Sequence, residues 1–167
     1  TTAADAGVAP GDRVDVAFTP QVNEFRGSRA VQLQLCDLKA APTRMEAERA
    51  VYDRLRRGDA LSPREAEALI PSRAEFAAVW RYLNGHARLG RVEDTARRLA
   101  RGVSRTYGIK ETVMRTLVCL DVMDERGLIR VEQSTDHLRI DLCQVERKVD
   151  LEGSELMKRL RRLAGEG

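Results

Sequence analysis

Val14–Leu38, reading VDVAFTPQVNEFRGSRAVQLQLCDL, decides the fold at the start of this chain. Val14, Val16 and Phe18 alternate with Asp15, Ala17 and Thr19, and Val31, Leu33 and Leu35 alternate with Gln32, Gln34 and Cys36. A period of two places each apolar set on one face of a strand. Arg26-Gly27-Ser28 supplies a permissive turn between the runs, so the segment is predicted as a β-hairpin. Two strands with a single apolar face do not stand alone in water. Either helices further along the chain cover them, or they finish a larger sheet.

The residues favour the larger sheet. Asp15-Val16-x-Phe18, Asn23-Glu24-x-x-Gly27, Gln32-Leu33 and Asp37-Leu38 together resemble the last two strands of the OB-fold domain in RecJ-family single-strand-specific DNA exonucleases. Later segments extend the resemblance to the C-terminal extension of longer members. These are Pro71-Ser72-Arg73-x-Glu75-Phe76 with Val79-Trp80-Arg81-Tyr82, then Glu125-Arg126-Gly127-Leu128-Ile129, then Lys148-Val149-Asp150-Leu151-Glu152-x-Ser154. The resemblance spans nearly the whole chain. It implies a chain that begins partway through a barrel, which its opening on Thr rather than Met also leads one to expect.

Downstream, three helix starts carry the same chemistry: Thr43-Arg44-Met45-Glu46, Ser62-Pro63-Arg64-Glu65 and Ser72-Arg73-Ala74-Glu75. In each the hydroxyl can accept from the amide three residues on while the glutamate reaches back. The first helix is predicted to stop at Gly58, with Met45, Tyr52 and Leu55 as a thin apolar stripe. The second is short and blocked by Pro71, and the third presents Phe76, Val79, Trp80 and Leu83 before ending near Gly85. Val92, Ala96, Leu99 and Ala100 mark a fourth helix, predicted to close at Gly102, with Val103–Gly108 as a connection. Ile109–Arg126 is then the longest and most apolar helix, and the most buried. Leu128–Glu132 and Leu138–Leu142 read as short strands around a turn, and a last helix lies within Asp150–Leu163.

Three helices followed by a β-hairpin is the order of a winged helix-turn-helix. The expected fold class is therefore α+β. A hairpin from a truncated OB fold occupies residues 1–42, a helical connector 43–71, and a mainly helical winged-helix-like domain 72–167. Residues 1–12 are expected to be poorly ordered or a loop remnant.

Composition narrows the function classes. Of 167 residues, 33% are charged, and no apolar run approaches the ~18 residues that span a bilayer. The first residues show neither the basic nor the apolar region of a signal peptide. Cys36, Cys119 and Cys143 are widely spaced, neither a disulfide framework nor a zinc pattern, so a reducing, cytoplasmic location is expected. Residues 1–42 hold four bases against five acids and the remainder 25 against 21. A surface that tracks a DNA backbone is basic, so any nucleic-acid affinity belongs to the later region.

The resemblance implies a parent enzyme that cleaves phosphodiesters with divalent metal, Mn or Mg, held by aspartates and histidines that include an Asp-His-His triplet. This chain has only His86 and His137 and no such triplet. The expected role is a non-catalytic accessory module without a cofactor, in a 5′-to-3′ single-stranded-DNA exonuclease of recombination and repair. Such a module grips single-stranded DNA or docks a partner such as single-strand-binding protein. The candidate nucleic-acid contacts are Arg101, Arg105, Tyr107, Lys110 and Arg115 around the long helix, with Phe25 at the hairpin turn as a base-stacking aromatic. Glu111, Asp121, Asp124 and Glu125 on or beside the same helix would oppose phosphates, which leaves a scaffolding or protein-contact role open. Asp121, Asp124 and Glu125 read as a solvated acidic rim. The rival class is a stand-alone winged-helix DNA-binding regulator that dimerises through its hairpin. An open apolar hairpin face with free edges also leads to an expectation of self-association.

Overall fold

Arg26 and Gly27 both take positive φ, 51° and 80°, as the two central residues of a tight hairpin turn of the primed kind require. They join β1 (Val14–Phe25) to β2 (Ser28–Ala40), which pair antiparallel. The structure, a computed structural model, describes residues 14–40, 43–135 and 137–166, except the side chains of Phe25, Lys39 and Ala40. Residues 1–12, expected to be poorly ordered or a loop remnant, lie outside them.

The hairpin register contains one irregularity, and it has a sequence cause. Ala17 faces Asp37 while Phe18 faces Leu35, so Cys36 is an extra residue in β2. Apolar residues occupy odd positions as far as Leu35 and then shift to Leu38. The bulge absorbs that change of parity. Val16, Phe18, Pro20 and Val22 thereby stand opposite Leu38, Leu35, Leu33 and Val31, giving one continuous apolar face. The other face is polar: Gln21 Nε2 donates to Gln34 Oε1 at 2.6 Å, and Thr19 Oγ1 meets Cys36 Sγ at 3.2 Å.

The chain divides into two compact units, residues 1–50 and 51–167. The division falls inside α1 (Arg44–Arg57) rather than at the ends of the expected 43–71 connector. Tyr52, Leu55, Leu61, Ala66 and Leu69 from this stretch belong to the hydrophobic core of the second unit. From Val51 onward the expected connector is thus core structure.

The second unit continues through α2 (Pro63–Leu69), α3 (Arg73–His86), β3 (Arg91–Asp94), α4 (Ala96–Tyr107), α5 (Val113–Glu125), β4 (Ile129–Gln133), β5 (Leu138–Leu142) and α6 (Glu155–Ala164). Ser62–Glu65 and Ser72–Glu75 each form the reciprocal capping box read from sequence. The three strands make an antiparallel sheet in the order β3-β5-β4. Val92 pairs with Ile140, which pairs in turn with Val131. The fold class is mixed α+β, as expected.

Three expectations are corrected here. Val92 lies on β3, not on a helix; four residues between the Leu89-Gly90 turn and the Thr95 cap are too few for periodicity to register. Gly102 does not close α4, which runs on to Gly108, where φ is 67° and the amide donates to Ser104 O at 2.9 Å. Gly102 serves close packing instead, since a Cβ there would lie 2.2 Å from Tyr82 Oη. The fifth helix consequently starts at Val113 with Thr112 as N-cap, and Ile109–Thr112 is the connection.

Candidate nucleic-acid interface

Thr95 starts α4 by accepting the Arg98 amide at its Oγ1, 3.2 Å away, and Asp94 Oδ1 accepts the Thr95 amide at 2.8 Å. Leu99, Ala100 and Val103 then point into the core with Tyr107 packed behind them. Helical periodicity does the rest. Arg97, Arg101 and Arg105, four residues apart, form one exposed row, with Arg98 beside it and Lys110 just beyond the helix. Two acids lean on this row: Asp94 pairs with Arg98 at 3.4 Å and Glu111 with Arg101 at 3.8 Å. Arg97, Arg105 and Lys110 have no hydrogen-bond or ion-pair partner among the described residues.

Of the residues singled out from sequence, Arg101, Arg105 and Lys110 are brought together on or beside α4. Tyr107 is half-buried against the core, and Arg115 is held elsewhere. Its Nη2 pairs with Glu75 Oε1 at 2.8 Å, while its Nε is buried without a partner. The Phe25 side chain is outside the described residues; its backbone ends β1, opposite Ser28. Sequence reasoning missed Arg97 and Arg98. Their spacing with Arg101 and Arg105 was visible, but closing the helix at Gly102 moved Arg105 into a loop and broke the row.

α5, at 13 residues shorter than α1 and α3 with 14 each and so not the longest helix that was expected, presents little to a ligand. In α5, Met114, Thr116–Leu120, Val122 and Met123 are buried. Of its acids, Asp124 and Glu125 are exposed, and the expectation of a solvated rim is corrected for Asp121. Asp121, its side chain 13% exposed, accepts from Tyr52 Oη at 2.7 Å and from Arg56 Nη1 at 2.5 Å. Burial lifts its pKa above the ordinary carboxylate value, against the pull of Tyr52 and Arg56. Glu125 caps α6, accepting the amides of Glu155 at 2.5 Å and Leu156 at 3.2 Å. Only Asp124 among the three is exposed without such a contact.

The other basic clusters are largely engaged within the fold. Arg54 pairs with Glu65, and Arg57 with Asp59 at 3.0 Å. Arg159 donates to the carbonyls of Leu55 and Asp59, and Arg161 pairs with Glu152 at 2.5 Å. His86 stacks on Tyr82 with ring centroids 3.9 Å apart, its Nδ1 2.9 Å from Tyr82 O. His137 lies 4.0 Å from Glu93; Asp136 is outside the described residues. Among the described residues no group of three or more His, Cys, Asp or Glu is placed to hold a metal ion. Cys119 is fully buried in the core, and that burial pushes its thiol well above its ordinary pKa. No helix among the described residues is long and apolar enough to cross a membrane.

Neither a protein family, nor a curated protein, nor a solved structure matches this chain.

Proposed function

We propose that this chain is a non-catalytic accessory region of a RecJ-like 5′-to-3′ single-stranded-DNA exonuclease acting in recombination and repair. In that reading the hairpin completes an OB barrel, and the second unit is a winged-helix-like module that holds nucleic acid by its backbone. The order α3-β3-α4-α5-β4-β5, with β3 joining the hairpin strands in one sheet, supports the winged-helix assignment.

One observation carries the functional part: α4 shows an arginine row while the first turn of α5 is folded inward. A helix that reads duplex sequence needs open polar side chains at its N-terminal end. Here Met114 is buried and Arg115 is tied to Glu75. Arg97, Arg101 and Arg105 suit phosphates, which carry affinity and no sequence information. Backbone binding without base readout is what a processive single-strand enzyme requires of an accessory module. It is poorly suited to a sequence-specific regulator.

Fluorescence-anisotropy titrations with a labelled single strand and the matching duplex, each at two salt concentrations, test this. Weak, sequence-independent binding that prefers the single strand is expected. Replacing Arg97, Arg101 and Arg105 with Gln should flatten the slope of log K against log salt by about 2. A tight, sequence-selective duplex complex would replace this reading with the regulator that dimerises through its hairpin. Mn- or Mg-dependent cleavage that survives repurification would overturn the non-catalytic assignment.

A further inference from the structure

Leu89 and Gly90 take φ 52° and 76°, the pair of positive values that a primed two-residue turn needs. The Arg88 amide donates to Arg91 O at 2.9 Å, and the Arg91 amide returns to Arg88 O at 3.0 Å. That reciprocal pair sets two arginines next to each other in the lining of a pocket of about 570 Å³. Arg98, on the first turn of α4, supplies a third guanidinium. The volume is that of a small-ligand site.

The same pocket carries an aromatic platform. Tyr82 and His86 lie one turn apart on α3, and their rings stack with centroids 3.9 Å apart and planes 19° apart. Two contacts hold the stack. His86 Nδ1 lies 2.9 Å from Tyr82 O, and Tyr82 Oη is seated against Gly102 of α4, where no Cβ would fit. Tyr82 covers one face of the imidazole. His86 is exposed, and no other aromatic ring among the described residues stacks on it. A held ring with an open face is a surface on which a base stacks.

Positive charge is available beside that ring. Arg91 pairs with Asp141 at 2.6 Å and Arg98 with Asp94 at 3.4 Å, Arg98 remaining exposed. Arg88 is exposed, and its side chain has no hydrogen-bond or ion-pair partner among the described residues. Two carboxylates share the lining and both are engaged: Glu93 with Arg139 at 3.3 Å, and Asp94 with Arg98 and the Thr95 amide. Guanidinium groups suit a phosphate, and carboxylates accept from the amino and imino groups of a base. A phosphorylated aromatic side chain would offer those carboxylates no donor.

We propose that this pocket holds one nucleoside phosphate, its base on the open face of His86 and its phosphate among Arg88, Arg91 and Arg98. The nucleotide is either free or one unit of a strand, and the chemistry that recognises it is the same. Only Arg98 is shared with the basic face of α4, so the pocket stands or falls separately from the accessory-module reading.

The test titrates the full chain, isotope-labelled for NMR, with dAMP and with its two halves, deoxyadenosine and deoxyribose 5-phosphate. dAMP should shift amides within residues 86–98 and bind at least about fivefold more tightly than either half. His86→Ala and, separately, Arg88→Gln should each weaken dAMP at least about fivefold, while His86→Phe retains binding. Both side chains are exposed, so an unchanged circular-dichroism spectrum is expected of all three variants. Arg97→Gln with Arg105→Gln should leave dAMP binding unchanged. An oligo-dA strand that moves the same amides at lower concentration assigns the pocket to a strand. A strand that leaves them in place while dAMP moves them assigns it to a free nucleotide. Deoxyribose 5-phosphate binding as tightly as dAMP would reduce the pocket to an anion site and overturn the proposal. So would the absence of shifts at 86–98 with both dAMP and the strand, or indifference to both pocket variants. Strand binding that survives His86→Ala and Arg88→Gln but falls with the α4 changes would leave the accessory-module reading standing without this one.

Discussion

Asp121 sits where two elements meet, and its environment sets the sign of a pH effect. Burial raises its pKa in the folded chain, while the unfolded value stays near ~3.9. Between those two values the native state holds more protons than the unfolded state, so unfolding free energy falls as pH rises. Asp121→Asn keeps an acceptor for Tyr52 and removes the titration. The difference in urea midpoint between wild type and variant should shift in the variant's favour as pH climbs through that window, then level off. Carboxylates held low by hydrogen bonds, such as Glu65 with Ser62 and Asp141 with Arg91, act with the opposite sign in both proteins and cancel from the difference. A flat difference would show that Asp121 is not the source. Leu89 gives a simpler case. It takes φ 52° in the turn before β3 and is 108% exposed, so its side chain returns nothing for a conformation that costs a non-glycine residue about 1 kcal/mol. Leu89→Asn should stabilise the chain by roughly that amount in urea denaturation.

The capping boxes were legible at the scale of elements because their chemistry is local. Ser62 and Glu65, and Ser72 and Glu75, need only each other's amides, and both helices begin where the serines predict. What sequence could not show is the second role of Glu75. Its Oε2 accepts the Ser72 amide at 2.7 Å while its Oε1 holds Arg115 of α5, so one side chain caps a helix and fastens it to another. Ser72→Ala should cost about 1 kcal/mol in equilibrium denaturation. Glu75→Ala should cost more, about 3 kcal/mol, because it also leaves the half-buried Arg115 charge without its partner. Equal losses would mean that the Glu75–Arg115 pair contributes nothing. The same distinction explains the misread elements. Gly102 looked like a stop because a glycine's reason is invisible until its neighbour is known, and here the neighbour is Tyr82 on α3. β3 was missed because its pairing with β5 lies some 50 residues away, as Arg91 with Asp141 shows. The arginine row was present in the spacing and was lost only through that wrong helix end.

For the molecule as a whole, the hairpin poses the remaining physical problem. Val22, Val31 and Leu33 are 70%, 71% and 58% exposed, on one face with Phe18 and Leu35. Apolar area of this kind gathered on one sheet face marks an interaction surface, not scattered surface hydrophobics. In the proposed parent the rest of an OB barrel would lie over it. For this chain by itself the complementary surface at hand is a second hairpin, whose face is identical and equally apolar. Covering each such side chain is worth on the order of 1 kcal/mol, so several in register can hold two copies at high protein concentration. Sedimentation equilibrium should show concentration-dependent self-association. Val22→Lys with Leu33→Lys should abolish it, since both positions lie on the apolar face and point lysines at the partner. Both side chains are exposed, so the hairpin's own pairing, carried by backbone hydrogen bonds and by Gln21 with Gln34 on the opposite face, has no reason to fail. A wild-type chain that stays monomeric at high concentration would refute pairing through this face.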